Sequence, residues 1–182
     1  MSGERRSRWR PVPVCGLVLV CGVVWVGGLV SGCSGTVQGG VPAAERSSGQ
    51  LSQWVEGATV ESVAQTLGVQ LPEAATEAKA AHLQGLQDDG LILAFVLPTA
   101  DVDAFVGRLK PERPLRLREQ PLTQSTNPTT PFSHLGLPEP ELLARVREGQ
   151  VCAPCEEDLN WLKVAVVRVD DLTSRVYLRG VD

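Results

Sequence analysis

The chain predicts an α+β domain, an antiparallel sheet built from two hairpins with two or three short helices on one face. Three observations carry this expectation. Leu91-Ile92-Leu93-Ala94-Phe95-Val96-Leu97 is an unbroken apolar run of strand length between Gly90 and Pro98, the pattern of a central strand buried on both sides. Near the C-terminus, the mostly apolar run 161–169 and the alternating residues 175–179 flank the turn Asp170-Asp171-Leu172-Thr173-Ser174. Two further segments place apolar residues at helical spacing: Val60, Val63, Ala64 and Leu67, then Val102, Phe105, Val106 and Leu109.

Taken in order, Leu51 to Val55 reads as a short helical turn, and Val60 to Gly68 as a helix that Gly68 caps and Pro72 cannot continue. Thr76 to Gln84 reads as the first strand of a hairpin. Its turn ends in Asp89-Gly90, and the apolar run 91–97 is its partner. Thr99 is a suitable N-cap for the next helix, Asp101 and Asp103 suit its positive end, and Pro111 and Pro114 stop it. Seven prolines then interrupt residues 111–140. Within that stretch Leu115 to Arg118 alternates as a short edge strand whose arginines discourage edge-to-edge association, and residues 124–131 form a long mobile loop. Glu141 to Arg147 reads as one or two helical turns stopped by Gly149. In the terminal hairpin Leu162, Val164 and Val166 share one face, and Lys163, Ala165, Val167 and Val169 share the other.

The N-terminal part has a different logic. Arg5, Arg6, Arg8 and Arg10 precede a charge-free apolar run of about 19 residues, from Val12 to Val30, and small residues with a cysteine follow. Leu29-Val30-Ser31-Gly32-Cys33 resembles the bacterial lipobox, with Val30 where Leu is commonest. The resemblance implies that residues 1–32 are a cleaved lipoprotein signal peptide and that Cys33 carries lipid as the new N-terminus, holding the protein on the extracytoplasmic face of the cell membrane. An uncleaved anchor helix is the competing reading, since roughly 20 apolar residues span a bilayer. Gly16, Gly22, Gly27 and Gly28 weaken such a helix by about 1 kcal/mol each, and an anchor leaves the small-small-Cys ending unexplained. Glu4 to Arg10 also resembles a twin-arginine export signal, departing from it at Glu4 and Arg8, so both export routes stay open. Residues 33–50, rich in Gly and Ser, form a flexible tether, and residues 51–182 a single domain. Fourteen of the 17 basic residues are arginine; with the lipobox, this bias resembles actinobacterial surface lipoproteins.

Without the signal segment the chain has 13 basic and 20 acidic residues, a net charge of about −7, which argues against nucleic acid as a partner and against an electrostatic grip on anionic lipid. Cysteine usage fits an oxidising space: Cys15 and Cys21 leave with the signal, Cys33 takes lipid, and Cys152 and Cys155 remain as an even pair. Cys152-Ala153-Pro154-Cys155 resembles the active site of thioredoxin-like proteins, in which the first cysteine is a nucleophile at a helix start. It departs from them in carrying Gln150-Val151 where a tryptophan is usual, in its late position, and in the acidic run Glu156, Glu157 and Asp158. A structural disulfide worth about 2 kcal/mol is the expectation, and thiol–disulfide exchange is the alternative. His82 and His134 stand without motif partners, no hydrolase or cofactor fingerprint occurs, and the pairs Asp88-Asp89, Asp101-x-Asp103 and Asp170-Asp171 lack the spacing of a calcium loop. No metal and no cofactor are therefore expected. Trp54, Phe132, Trp161 and Tyr177 are the aromatic side chains left over for a ligand or partner surface. The function expected is that of a monomeric, non-catalytic binding or accessory module of the cell envelope, with an envelope protein or a small ligand as its partner.

Overall fold

The computed structural model describes residues 52–123, 128–156 and 159–182. The expectations for the signal segment 1–32, Cys33 and the tether 33–50 fall outside the described residues, as do residues 124–127 of the long loop and the acidic pair Glu157 and Asp158.

Seven antiparallel strands form one sheet: β1 (Gln53–Trp54), β2 (Thr76–Gln84), β3 (Gly90–Pro98), β4 (Arg116–Arg118), β5 (Val146–Cys152), β6 (Trp161–Arg168) and β7 (Thr173–Val181). Their spatial order is β1-β2-β3-β7-β6-β5-β4. The hairpins β2–β3 and β6–β7 are joined by pairing β3 against β7 over nine residue pairs, from Gly90↔Val181 to Pro98↔Thr173. Both hairpins thus become the middle of a wider sheet. The alternation along β3 serves two faces at once: Leu91, Leu93, Phe95 and Leu97 point to one core, Ile92 and Ala94 to another, and all six are fully buried. A strand with no polar position can sit only where both faces are covered.

The first face is covered by two helices, α1 (Val60–Thr66) and α2 (Thr99–Leu109). In α1, Val63 and Ala64 face the core. Thr59 caps the helix by accepting from the Ser62 N–H while Ser62 Oγ accepts from the Thr59 N–H, and Gly68 ends it at φ +64°, with the Val69 N–H donating back to the Ala64 carbonyl. In α2, Val102, Phe105 and Val106 are buried, and Phe105 meets Phe95 edge to face at 5.2 Å. Thr99 is the first helical residue rather than the cap: Pro98 holds that position, and the Thr99 hydroxyl is spent on Ser174 Oγ at 3.0 Å.

Two segments differ from expectation. Gln53 and Trp54 are strand, not helical turn, because they pair with Gln84 and Leu83 along the exposed edge of β2. Residues 141–147 are not a helix. Pro140–Leu142 makes a single 3-10 turn, Leu143 is extended, Arg145 takes φ +56°, and β5 runs from Val146, opposite Val167, to Cys152. The helix-forming composition of Glu141-Leu142-Leu143-Ala144-Arg145 yields here to the unpaired edge of β6, since propensity of a few tenths of a kcal/mol per residue is weaker than a ladder of backbone hydrogen bonds and buried Val146 and Val151. With β1, β4 and β5 added, the sheet exceeds two hairpins, and among the described residues the α-helices number two. β4 is a sheet edge, as its alternation predicts.

Candidate functional site

The second face of the sheet carries the positions that α1 and α2 leave uncovered. Register places Leu83 of β2, Tyr177 and Arg179 of β7, Trp161, Lys163 and Ala165 of β6, and Glu148 and Gln150 of β5 on this side. Part of it is covered by a proline-rich strap, residues 128–142, containing the 3-10 turns Phe132–Leu135 and Pro140–Leu142. Phe132 and Leu137 of the strap are buried against Ala81, Ile92, Ala94 and Tyr177. The uncovered part holds a groove of about 960 Å³ whose walls are the strap and the β2–β3 turn. That volume lies in the range of small-molecule sites.

Two arginines fasten the strap. Arg179 reaches from β7 to Glu139 at 2.7 Å and Glu141 at 2.8 Å, with its guanidinium 4.9 Å from the centre of the Phe132 ring. Arg118 of β4 grips both Glu148 oxygens, at 2.9 and 3.2 Å, and donates to the carbonyls of Pro140 and Leu143, both at 2.8 Å. A planar fork with five donors suits such a junction, where an ammonium would leave carbonyls unpaired. Arg179 Nε and Glu141 Oε2 are buried without a hydrogen-bond partner among the described residues. A third fastening is steric: Gly90 lies against Thr130, so closely that a Cβ there would fall 2.1 Å from Thr130 Cγ2.

At the turn end of the groove, His82 Nε2 meets Asp89 Oδ2 at 2.6 Å while the Gly85 N–H donates to Asp89 Oδ1 at 2.9 Å. Burial alone would push the Asp89 carboxyl up. The Gly85 hydrogen bond and the hydrogen bond and charge of His82 outweigh it and hold Asp89 below its ordinary value of 3.8. Asp88 accepts from the Asn160 amide at 3.2 Å. In the floor, burial raises the Tyr177 phenol, with Arg175 opposing in part. Lys163 is exposed, its ammonium 5.2 Å from the centre of the Trp161 ring.

Of the four aromatic residues expected on a ligand surface, Phe132, Trp161 and Tyr177 line the groove. Phe132 and Tyr177 are nonetheless buried, packed edge to face at 4.9 Å, so they are foundation rather than an open stacking surface. Trp54 stands elsewhere: its ring stacks on His134 at 3.8 Å, pinning the strap to β1. Lys163, Arg179 and Gln150 were not singled out by sequence, although alternation along β6 already put Lys163 and Ala165 on the face opposite Leu162 and Val164.

Cys152 and Cys155 are bonded, with Cα atoms 4.9 Å apart, an ordinary span for a disulfide. Both side chains are half-buried and pack on the helix-covered core. Cys152 is the last residue of β5, and among the described residues no helix starts there. The intervening loop is fixed by the Ala153 N–H donating to Glu112 Oε1 at 2.9 Å. Among the described residues no group of three or more His, Cys, Asp or Glu side chains is placed to hold a metal, and no helix is long and apolar enough to cross a membrane. Compared with protein-family models, curated proteins and solved structures, the chain matches none.

Proposed function

We propose that this protein is a lipid-anchored, extracytoplasmic binding module of the cell envelope that takes its ligand in the groove between the strap and the β2–β3 turn. The observation that carries the binding half is the groove itself: its floor is laid by paired strands and its strap is tied down by Arg118 and Arg179, so the cavity exists before any ligand arrives. The anchoring half rests on the lipobox-like residues ending at Cys33. Its test is Cys33→Ala in the full chain, expected to leave an uncleaved precursor without lipid. A variant that still runs at the mature size and retains lipid overturns the anchor.

Thiol–disulfide exchange at Cys152 and Cys155 is the second reading, favoured by the bonded pair being half-exposed. Against it stands the position of Cys152 in a strand, where no helix dipole favours a thiolate. A potential of about −120 to −270 mV, with exchange activity lost in Cys152→Ser, supports the enzyme; a potential below about −300 mV supports a structural bridge.

A further inference from the structure

The groove is elongated. From Leu83 on β2 to Gln150 on β5 its floor crosses β3, β7 and β6, four strand spacings of about 4.8 Å, or about 19 Å in all. Because β3, β7 and β6 are each paired on both sides, a peptide main chain laid over this floor finds no strand edge to join. Recognition therefore falls to the tips of side chains.

Those tips are polar, and their charges decide what they can hold. The lining carries four carboxylates, Asp88, Asp89, Glu141 and Glu148, against the cations Lys163 and Arg179, so an anionic ligand is repelled. Three of the carboxylates are already engaged: Asp89 with His82, Glu141 with Arg179 and Glu148 with Arg118. Asp88 is held by the neutral Asn160 amide, and among the described residues neither Asp88 nor Lys163 has an ion-pair partner. One anion and one cation thus stay available, and they cancel. Both lie near Trp161: Asn160 is the residue before it, and the Lys163 ammonium is 5.2 Å from the centre of its half-buried ring.

We propose that the groove takes a neutral oligosaccharide, with one sugar ring against Trp161 and hydroxyls on Asp88, Lys163 and Gln150. A carboxylate only accepts hydrogen bonds, an ammonium only donates them and an amide does both. A hydroxyl both donates and accepts without carrying charge, so a run of hydroxyls answers all three where an anion fails at Asp88 and a cation at Lys163. The apolar face of a sugar ring suits an indole that is amphipathic in the same way, and several linked units match the length of the floor. This inference deepens the reading of the groove as the ligand site and rests on it.

The test titrates the full chain, in a detergent that contains no sugar, with tetramers of glucose, mannose, galactose and N-acetylglucosamine, and with the acidic galacturonic acid and cationic glucosamine tetramers. Calorimetry should show at least one neutral tetramer binding more tightly than either charged one, with an affinity that changes less than about twofold between about 0.05 and 0.5 M salt, since no net charge is being screened. Trp161→Ala should weaken that affinity about tenfold through the lost stacking surface. Asp88→Ala, at an exposed turn position where folding is not at stake, should also weaken it about tenfold, the loss expected of one charge-assisted hydrogen bond. Failure of every neutral tetramer to bind, or tightest binding by a charged tetramer with a steep salt dependence, overturns the inference. A charged tetramer that binds and is lost in both variants defeats this inference alone and leaves the groove as the ligand site. A neutral tetramer whose affinity neither variant alters defeats the groove reading together with this one.

Discussion

A methyl group added to Gly90 would enter a place where the strap and the sheet touch without room to spare. The ideal Cβ position is 2.1 Å from Thr130 Cγ2, 3.5 Å from Thr130 Cβ and 3.7 Å from Oγ1. Only the first contact is a clash, and it cannot be relieved by a swinging side chain, because Thr130 is β-branched and 3% exposed. Overpacking of this kind costs about 1 to 3 kcal/mol. Gly90→Ala should therefore lower the urea midpoint by about 1 M, taking about 2 kcal/mol and a slope near 2 kcal/mol per M. Thr130→Ser removes Cγ2 and little else, at a cost of about 1 kcal/mol for the lost methyl. In the double variant the nearest remaining atom is Thr130 Cβ at ordinary van der Waals distance, so the double should be more stable than Gly90→Ala alone, with a coupling of about 1 to 2 kcal/mol. Urea melts of the four proteins decide the matter. A neutral Gly90→Ala, or effects of the two changes that simply add, would show that the strap does not rest on this contact.

Phe95→Ala should cost about 3 to 5 kcal/mol in a urea melt, since the ring is fully buried against Phe105, whereas Leu86→Ala at the exposed turn should stay within about 0.5 kcal/mol of the parent; a neutral Phe95→Ala would deny that this face of β3 is core. Arg118→Lys keeps the charge but loses the fork that holds Glu148, Pro140 and Leu143 together, and should cost about 1 to 3 kcal/mol by the same assay; equal stability would mean that the strap is fastened elsewhere. The Asp89 carboxyl is held below 3.8 by its partners, so its contribution is fully present above that pH and is lost as pH falls through the lower folded value. The stability gap between the parent and Asp89→Asn should thus shrink as pH falls below 3.8; a gap that persists undiminished below 3.8 refutes the assignment.

The elements that were legible are those in which local pattern and tertiary demand agree. The run Leu91 to Leu97 has no polar position, so no register leaves it half-exposed, and both cores of the molecule are built on it. The helix stripes at Val60 to Leu67 and Val102 to Leu109 likewise carry enough apolar surface to fix their own orientation. β1 was not legible, because two residues contain no period and gain strand character only from the neighbouring edge of β2. β5 was misread for a related reason. Its first half follows a helix-forming sequence, and its strand residues Gly149 and Gln150 are poor strand formers that are held in place by Val164 and Lys163 opposite. A signal existed in Val146 and Val151, both buried, but it competes with Glu141-Leu142-Leu143 unless β6 is known to need a neighbour.

The groove was illegible for a deeper reason. Alternation along β6 and β7 tells which side chains share a face, but not what lies over that face. Here the cover comes from residues 128–142, of which 128–131 belong to the stretch 124–131 that reads as a long mobile loop and 141–142 to the expected helix. Proline removes backbone donors and so keeps such a segment out of the ladder, yet it also fixes φ, so the chain has less freedom to lose when it is pinned. A few ties then suffice: Arg179 to Glu139 and Glu141, Arg118 to the carbonyls of Pro140 and Leu143, Trp54 on His134, and Gly90 beneath Thr130. All of these ties lie along the strap or at its ends, and Lys163 and Trp161 stand on the floor that it leaves uncovered. The arginines that sequence alone assigns to solubility at a sheet edge or to an exposed strand face are in fact the fasteners, and the uncovered floor beside them is what makes a groove out of a sheet that would otherwise be covered on both sides.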